Sequence, residues 1–514
     1  MTEQKPSSFW DRALSNIRGI WGKIASGTED VFAQKTNWSP DLDDKDQERL
    51  IEQMRACLEA RGGEVSARAR AAALGHAYLA LNETGRKRFL RVLADTFDID
   101  RRQVDEAVVA LQAATEPAKR RAAEAKLRRA LLASRVKLLT QFNALPEGVK
   151  FLVDLRNELL GWSAGDPGLA DLEADLKSLL GTWFDVGFLE LRQITWSAPA
   201  SLLEKLFEYE KVQEIRSWVD LKNRLAADRR CFAFFHPRMP DEPLIFVWVA
   251  LVRGMATNVQ VLLDETAPQD DPNFADAAIF YSISNAQEGL RGINFGNFLI
   301  KRVLDRLSAE LKGLKTFATL SPIPGFMNWV KKGLTADHMF EIVPEAERAA
   351  LTSLAGVAAP EAALKALLAT PNWHNETAVA DVLKMPVLRL VAHYLIDEKR
   401  AGGTARDSVA HFHLNNGARI EQLNWMANTS PRGFEESAGV MLNYRYEPEQ
   451  IEANHEFYRG GHAVMASPKV RELLANKQRT NGGRAPVRQS PSSAQSQTQA
   501  PAQSQVQSQA QAAN

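Results

Sequence analysis

The spacing of apolar residues along the chain changes near residue 190. Before that point, apolar side chains return every three or four positions, for example at Leu127, Leu131, Val136, Leu139 and Phe142. This spacing places them on one face of a helix, and the dense alanine and leucine of the region favour helix further. We therefore predict an all-helical bundle over residues 1–190. Turn-forming residues interrupt it at residues 61–63, 145–148 and 163–168.

The region from residue 191 to 475 alternates short β-rich runs with helical patterns. The β-rich runs lie at residues 231–235, 244–252, 277–284, 315–320, 411–414 and 440–446. Their β-branched and aromatic side chains fit a pleated surface. Residues 236–243 contain three prolines, so we predict a loop there between the first two strands. A helical bundle followed by a domain of mixed strands and helices is an α+β protein.

The final segment, residues 476–514, is rich in glutamine, serine, alanine and proline and has few large apolar side chains. Such a segment cannot bury enough apolar surface to offset the entropy cost of ordering. We therefore predict that it is disordered.

The charge balance limits the classes of partner. The chain has 63 basic and 63 acidic residues, so its formal net charge is zero and no global field attracts nucleic acid or an anionic membrane. The longest apolar runs, such as residues 244–252, reach about half of the ~20 residues that a membrane helix needs. Two cysteines are too few for a disulfide framework. We expect a cytoplasmic protein with neither a nucleic-acid nor a membrane partner.

A glycine-containing loop follows the third β-rich run and precedes an amphipathic helix. The loop spans residues 287–297 and contains Gly292 and Gly296. These glycines would let the backbone approach an anion, and the free amides of the first helical turn would face it. The spacing matches neither the P-loop nor the dinucleotide-binding motif. From this pattern, a phosphate site and an ordinary strand-to-helix turn both remain open.

Two further segments carry side chains that are capable of catalysis. Ser321 follows the strand 315–320 and begins a Ser-Pro-Ile-Pro-Gly segment, whose prolines fix the direction of its hydroxyl. His411 and His413 would share one face of the strand 411–414, because side chains alternate along a strand. The two histidines could bind a metal, or one of them could transfer a proton near neutral pH. No obvious third metal ligand accompanies them, and Ser321 could also be part of a purely structural turn.

Four segments, in this order, resemble the malonyl-CoA decarboxylase family. They are AIFYSIS at 278–284, GLRGINFGNFLIKRV at 289–303, TLSPIPGF at 319–326 and FHLNNGARIEQLNWMANTSPRGFEESAGVMLNYRY at 412–446. The resemblance implies a helical N-terminal domain used in self-association and a GNAT-like α/β domain that binds acyl-CoA. It also implies conversion of malonyl-CoA to acetyl-CoA and carbon dioxide without a metal or an organic cofactor.

The motifs of the family assign residues of this chain to the site. The resemblance implies that Ser321 and His413, rather than His411, are the catalytic pair. It implies an acyl-CoA loop made of Arg291, Gly292, Ile293, Asn294, Phe295, Gly296 and Asn297. We expect Ser321 to orient the malonyl group and His413 to protonate the α-carbon or stabilise the enolate. Candidate helpers in orientation are Asn416, Tyr444, Tyr446 and Tyr458.

The resemblance further implies a homo-oligomer, a dimer or a tetramer, assembled through the helical domain. Some members carry a glutamate where Asn294 stands here, so a role of that carboxylate does not transfer. Two alternative functions stay open. The first is a GNAT-type acyltransferase that moves an acyl group onto an amine, which an acceptor-dependent product would identify. The second is a non-catalytic CoA-binding scaffold, and the intact motifs around Ser321 and His413 speak against it.

Overall fold

The computed structural model describes Trp21 and residues 38–60, 63–293, 299–333, 339–461 and 463–475. Its first part is helical, as predicted. In chain order the helices are α1 (Asp44–Leu58), α2 (Glu64–Ala80), α3 (Glu83–Thr96), α4 (Arg101–Ala113), α5 (Pro117–Ala130), α6 (Ser134–Asn143), α7 (Gly148–Trp162) and α8 (Pro167–Trp183). The predicted interruptions at 145–148 and 163–168 lie where α7 and α8 begin.

Local sequence signals explain where these helices begin and which face they bury. Asp43 and Asn82 cap α1 and α3, because their side chains accept hydrogen bonds from Asp46 N and Gly85 N. Pro167 lies in the first turn of α8, where a missing N–H costs nothing. The fully buried apolar stripe of α8 consists of Leu169, Leu172, Leu176 and Leu180. Packing of such stripes, more than intrinsic helix propensity, stabilises the bundle.

A seven-stranded sheet forms the centre of the second part. Its strands are β1 (Glu190–Ile194), β2 (Arg229–His236), β3 (Met239–Val252), β4 (Ala277–Asn285), β5 (Thr316–Thr319), β6 (Arg419–Asn424) and β7 (Met441–Tyr446). Their order is β1-β2-β3-β4-β5-β7-β6, and β4–β5 is the one parallel pair in this sheet. The predicted α+β architecture is confirmed, and this mixed topology fits the GNAT-like domain that the resemblance implies.

The helices of the second part cover both faces of the sheet. They are α9 (Ala200–Tyr209), α10 (Trp218–Asn223), α11 (Val259–Leu262), α12 (Leu299–Glu310), α13 (Phe326–Gly333), α14 (Glu345–Ala355), α15 (Pro360–Ala369), α16 (Thr377–Ile396), α17 (Ser408–Asn415), α18 (Pro431–Ser437), α19 (Ile451–Gly461) and α20 (Pro468–Glu472). One apolar cluster joins the bundle, α12 and one sheet face, and a second lies between the other face and α9 to α11.

The prediction of a strand at residues 411–414 is wrong, because this segment belongs to helix α17. Asp407 starts the helix by accepting hydrogen bonds from the backbone N–H groups of Val409 and Ala410. Side chains two positions apart on a helix point in roughly opposite directions. His411 and His413 therefore face different surroundings, and the shared face on which a metal site would depend does not form.

The prediction of a long loop at residues 236–243 is also wrong. His236 pairs with Met239, so β2 and β3 form a hairpin with a two-residue turn. The prolines in β3 are tolerated because the ladder is irregular there and β3 pairs with β4 only from Ile245 onward. Strands β1 and β6 have no counterpart among the predicted strands.

The divergence of β4 from β5 opens the cleft in which the candidate site lies. The parallel pairing ends at Phe280 and Thr319, although β4 continues to Asn285. Beyond β5 the chain turns away, and Ser321 forms an antiparallel bridge with Leu442 of β7. The edge of β4 that faces the cleft thus extends past its last pair with β5.

Two further expectations concern membranes and the C-terminal segment. Within the described residues, no single helix combines the length and the apolar composition needed to cross a bilayer; only the pair α14–α15, bent by 54°, meets those two criteria jointly. Residues 476–514, for which we predict disorder, lie outside the described residues.

Candidate active site

A cavity of about 260 Å³ occupies the cleft between β4 and the end of β5. Four segments contribute to its wall: the second half of β4, the serine segment, helix α17 and the loop after α9. The lining residues are Val212, Phe280, Tyr281, Ser282, Ile283, Asn285, Leu320, Ser321, Pro322, Ser408, Val409, Phe412 and His413. Ser321 and His413, which are far apart in the sequence, therefore lie in one largely apolar cavity.

The backbone and side chain of Ser321 are both fixed. Its N–H donates to the carbonyl of Leu442 at 2.8 Å, and its carbonyl accepts from the Leu442 N–H at 3.0 Å. Its hydroxyl donates to Thr319 Oγ1 at 2.8 Å. Thr319 itself accepts from the backbone N–H of Tyr444 at 3.2 Å. The serine hydroxyl is thus held at the strand end by neighbours in β5 and β7.

The imidazole of His413 is held between the serine and two tyrosines. Its Nε2 lies 3.2 Å from Ser321 Oγ, and its Nδ1 lies 2.8 Å from the Tyr446 hydroxyl. The ring of Tyr444 stacks on it, with centroids 4.4 Å apart and planes at 25°. Because Tyr444 and Tyr446 are alternate residues of β7, one face of this strand supplies both contacts.

The hydrogen-bond partners of His413 favour one tautomer of its imidazole. The single hydroxyl proton of Ser321 is directed at Thr319, so toward His413 the serine oxygen accepts and Nε2 carries the proton. Burial lowers the pKa of His413 from 6.5 to about 3, because the charged imidazolium is poorly solvated there. The ring is therefore neutral, and its Nδ1 accepts the hydrogen bond that the Tyr446 hydroxyl donates. Burial also raises the pKa of Tyr446 well above its usual value, which keeps this donor protonated.

A buried carboxylate connects the serine segment to the helix of the histidine. Asp407 caps α17, and its other oxygen accepts from Gly325 N at 3.3 Å and from the Tyr394 hydroxyl at 3.5 Å. A Cβ on Gly325 would collide with the Tyr394 hydroxyl, which explains the glycine in the serine segment. Burial raises the pKa of Asp407. Asp407 thus joins the segment that follows Ser321 to the first turn of the helix that carries His413.

A second buried carboxylate, Glu210, holds the opposite wall of the cavity and was not found by sequence reasoning. It accepts from the hydroxyl of Ser282 at 2.8 Å and 2.9 Å and from Nε1 of Trp248 at 2.8 Å. It also accepts from the backbone N–H groups of Val212 and Gln213. Glu210 thus ties β4 to the loop after α9. Its position directly after the last apolar residue of α9 carries no motif that would identify it.

The structure describes part of the predicted acyl-CoA loop. Arg291 and Gly292 are exposed, Ile293 is half-buried, and Gly292 has φ +77°, in the left-handed region that favours glycine. The described part of the loop follows the end of β4 along the chain. The remaining predicted loop residues lie outside the described residues: Asn294, Phe295, Gly296 and Asn297.

The predicted helpers divide into two groups. Tyr444 and Tyr446 contact the imidazole of His413, as described above. Asn416 instead ends α17 and donates to the carbonyl of Phe412 at 2.8 Å. Tyr458 lies 2.8 Å from Nδ1 of His411, and its hydroxyl accepts from Ala405 N at 2.9 Å. Neither Asn416 nor Tyr458 lines the cavity.

Metal-binding potential is low across the described part of the chain. Among those residues, no group of three or more histidine, cysteine, aspartate or glutamate side chains is arranged to hold a metal ion. Cys57 and Cys231, the two cysteines, are both buried and free. The polar side chains that line the cavity carry hydroxyl, carboxamide or imidazole groups.

Comparisons with known proteins agree with this arrangement. The model of the malonyl-CoA decarboxylase C-terminal domain matches residues 187–483, and that of the N-terminal domain matches residues 97–184. The chain is 37% identical over 407 residues to a mitochondrial malonyl-CoA decarboxylase of Rattus norvegicus, covering 76% of this chain and 82% of the rat protein.

Solved structures give the same result. The malonyl-CoA decarboxylase of Rhodopseudomonas palustris superimposes with a TM-score of 0.76 at 40% identity, over 83% of this chain and 99% of that chain. The malonyl-CoA decarboxylase of Cupriavidus metallidurans superimposes with a TM-score of 0.65 at 42% identity, over 84% and 100% of the two chains. The chain therefore belongs to the malonyl-CoA decarboxylase family.

Proposed function

We propose that the protein decarboxylates malonyl-CoA to acetyl-CoA and carbon dioxide in the cavity between β4 and β5. The observation that carries this proposal is the buried Ser321–His413 pair, with Nε2 3.2 Å from Oγ at the point where the strands diverge. Family membership supports the same substrate, because the rat relative is named as a malonyl-CoA decarboxylase.

Loss of carbon dioxide requires stabilisation of the electrons that it leaves behind. The bond between the carboxylate carbon and the α-carbon breaks, and its electron pair passes into the thioester as an enolate. The barrier falls when the carboxylate is held out of the thioester plane and hydrogen-bond donors face the developing oxyanion. The α-carbon then takes up one proton, so each turnover consumes one proton from solvent.

We assign stabilisation of the enolate to His413. Its neutral imidazole presents the Nε2 proton to the cavity beside Ser321, where the thioester oxygen of a bound substrate can accept it. One such donor contributes about 3 kcal/mol to the transition state. The negative charge of the enolate favours the imidazolium form. It therefore raises the pKa of the imidazole, which desolvation lowers. The proton taken from solvent converts His413 to the imidazolium, which delivers a proton from Nε2 to the α-carbon and becomes neutral again.

We assign orientation of the malonyl group to Ser321. Its hydroxyl proton can turn from Thr319 toward the substrate, while the Leu442 bridge keeps its backbone in place. We assign no role as a base or nucleophile to Ser321, because in this mechanism Nε2 of His413 holds a proton for the enolate and does not accept one from the serine. The proposed mechanism therefore has no acyl-serine intermediate.

We further propose that the reaction needs neither a metal nor an organic cofactor. The test is incubation of the purified protein with malonyl-CoA and a chelator, followed by mass spectrometry of the products. We expect equal amounts of acetyl-CoA and carbon dioxide, at a rate that the chelator does not change. Intact malonyl-CoA would refute the decarboxylase proposal, and a loss of rate restored by a metal ion would refute the metal-free mechanism.

The acyltransferase alternative is tested in the same assay. An added amine leaves the product unchanged if the protein is a decarboxylase, and becomes acylated if it is a transferase. Persistent binding of coenzyme A without any turnover would instead support the scaffold alternative.

We also propose that the protein self-associates through its helical domain, as a dimer or a tetramer, and that it is cytoplasmic. The helical domain matches a separate family model over residues 97–184, which supports its existence as a conserved unit of the family. The rat relative is named as mitochondrial, so location needs its own measurement. Analytical ultracentrifugation of the full chain gives the oligomer, and cell fractionation gives the location.

A further inference from the structure

The helical bundle reaches the start of the acyl-CoA loop through one buried arginine. Arg156 of α7 is 1% exposed. Its guanidinium donates to the carbonyl of Gly289 at 2.5 Å and to that of Arg291 at 2.9 Å. It also donates to Glu173 of α8 at 2.6 Å and 3.0 Å. Two helices of the bundle thus hold two carbonyls of a loop more than 130 residues later in the chain.

The contact between the bundle and the loop is close at Gly289. A Cβ on Gly289 would collide with the backbone carbonyl of Val153 in α7. Glycine therefore permits the loop to pack directly on the helix backbone. The position of the loop is set by the bundle as well as by the strand from which it emerges.

The bundle also brings a cation, Lys177, to this loop. Lys177 lies one turn after Glu173 on α8, and a Cβ on Gly292 would be 3.5 Å from its Nζ. Lys177 and Arg291 are both exposed, and within the described residues neither side chain forms an ion pair. The nearby carboxylate of Glu288 is already neutralised by Lys211, with 2.5 Å between the charged atoms. Among the described residues, the surface beside Gly292 therefore carries positive charge that no carboxylate pairs.

We propose that Lys177 binds a phosphate of the coenzyme A moiety and that Arg156 is a positioning residue for the loop. The phosphate site would then be formed by both domains, with Lys177 from the bundle and Gly292 from the loop. A free ammonium beside a glycine backbone is a favourable site for a phosphate group. The inference rests on the proposed function only in taking coenzyme A as the ligand.

The test compares two substrates that share the malonyl thioester. Malonyl-CoA carries the nucleotide phosphates, whereas malonyl-pantetheine lacks them. We expect Lys177→Met to raise KM for malonyl-CoA roughly five- to tenfold, the effect of losing one charge-assisted contact at an exposed site. The kcat of this variant for malonyl-CoA, and its kcat and KM for malonyl-pantetheine, should stay within about twofold of the values of the unaltered enzyme. Added salt should raise KM of the unaltered enzyme more than that of the variant, because ions screen the lost attraction.

Arg156→Lys retains the positive charge beside Glu173. It loses the planar guanidinium group, whose N–H donors reach two carbonyls at once. We expect it to raise KM for malonyl-CoA by a similar factor and to spare malonyl-pantetheine. Arg135→Lys is the matched control. Arg135 is also a buried arginine of the bundle that contacts α8, through Asp175 at 2.7 Å, but it bonds Ala94 instead of the loop. The Arg135→Lys variant should be less stable, but the ratio of its KM values for malonyl-CoA and malonyl-pantetheine should not change.

Calorimetric titration with coenzyme A separates the two proposals. One outcome is that all variants turn over malonyl-CoA with unchanged KM and unchanged affinity for coenzyme A. It would refute the role of Lys177 and would leave the decarboxylase proposal standing. Weakened coenzyme A binding in Lys177→Met without turnover in the unaltered protein would support the phosphate site and refute the decarboxylase. An equal loss on both substrates in Arg156→Lys and Arg135→Lys would show that Arg156 acts on stability alone.

Discussion

Replacement of Tyr446 by phenylalanine tests whether the tautomer of His413 matters for catalysis. The change removes one hydroxyl from a side chain that is 1% exposed and keeps its ring. Nδ1 of His413 loses the donor that lies 2.8 Å away. Without that donor, one of the two hydrogen bonds that favour a proton on Nε2 is lost, and only the bond to Ser321 Oγ remains.

The size of the effect follows from the burial of this hydrogen bond. A buried acceptor left without a partner costs about 1–3 kcal/mol. If the transition state bears this cost, kcat falls roughly 10- to 100-fold, because each 1.36 kcal/mol corresponds to a factor of ten. KM for malonyl-CoA should stay within about twofold, since Tyr446 does not line the cavity.

The assay combines steady-state kinetics with nitrogen NMR of the imidazole, whose ring shifts distinguish the two tautomers. Tyr444→Phe is the matched control. The Tyr444 ring stacks on the same imidazole, but its buried hydroxyl has no hydrogen-bond partner among the described residues. We expect the control to retain full kcat. Full activity in Tyr446→Phe with an altered tautomer, or equal losses in both variants, would refute the reasoning.

Three further predictions follow from the same network. Thr319→Val removes the acceptor of the Ser321 hydroxyl, so kcat should fall roughly tenfold in steady-state assays while coenzyme A affinity is retained. Asp407→Ala removes the cap of α17, so urea denaturation should give a free energy of unfolding lower by about 1–2 kcal/mol. Burial lowers the pKa of His413 from 6.5 to about 3, so between these values the unfolded chain binds a proton that the native state excludes. Stability should therefore fall as the pH drops through this window, and His413→Gln should flatten that part of the stability curve.

The parts of the fold that local patterns predict are those that one short segment determines. The spacing of leucines in α8 reflects a single buried face. The apolar and β-branched runs of β4 and β7 instead reflect strands that are buried on both faces. The end of β5 at Thr319, two residues before Ser321, agrees with the two prolines that follow the serine. The strand 440–446 already places Tyr444 and Tyr446 on one face, so their shared contact with His413 was within reach of the sequence.

The errors arise where two local signals compete. The His-x-His pattern at 411–413 fits strand alternation, but Asp407 is a capping residue just before it and begins a helix. The prolines at 237–243 oppose strand formation, yet the ladder irregularities of the β2–β3 hairpin accommodate them. In both segments a neighbouring residue or strand decides the outcome.

The contacts that sequence patterns could not supply join distant parts of the chain. Glu210 meets Ser282 across 72 positions, and Arg156 meets Gly289 across 133. Neither Glu210 nor Arg156 is part of a sequence motif. Only their burial and their hydrogen-bond partners in the structure identify them. The resemblance to a family located Ser321 and His413, whereas the tautomer of the histidine needed the three-dimensional hydrogen-bond network.

The central claim is that Ser321 and His413 act together on the malonyl group, and single-turnover measurement of acetyl-CoA formation in Ser321→Ala and His413→Ala tests it most directly. With enzyme in excess over malonyl-CoA, each variant should form acetyl-CoA at least about 100-fold more slowly than the unaltered protein. Their affinity for coenzyme A and their helical content should stay unchanged. Acetyl-CoA formation at the unaltered rate in either variant would contradict the claim.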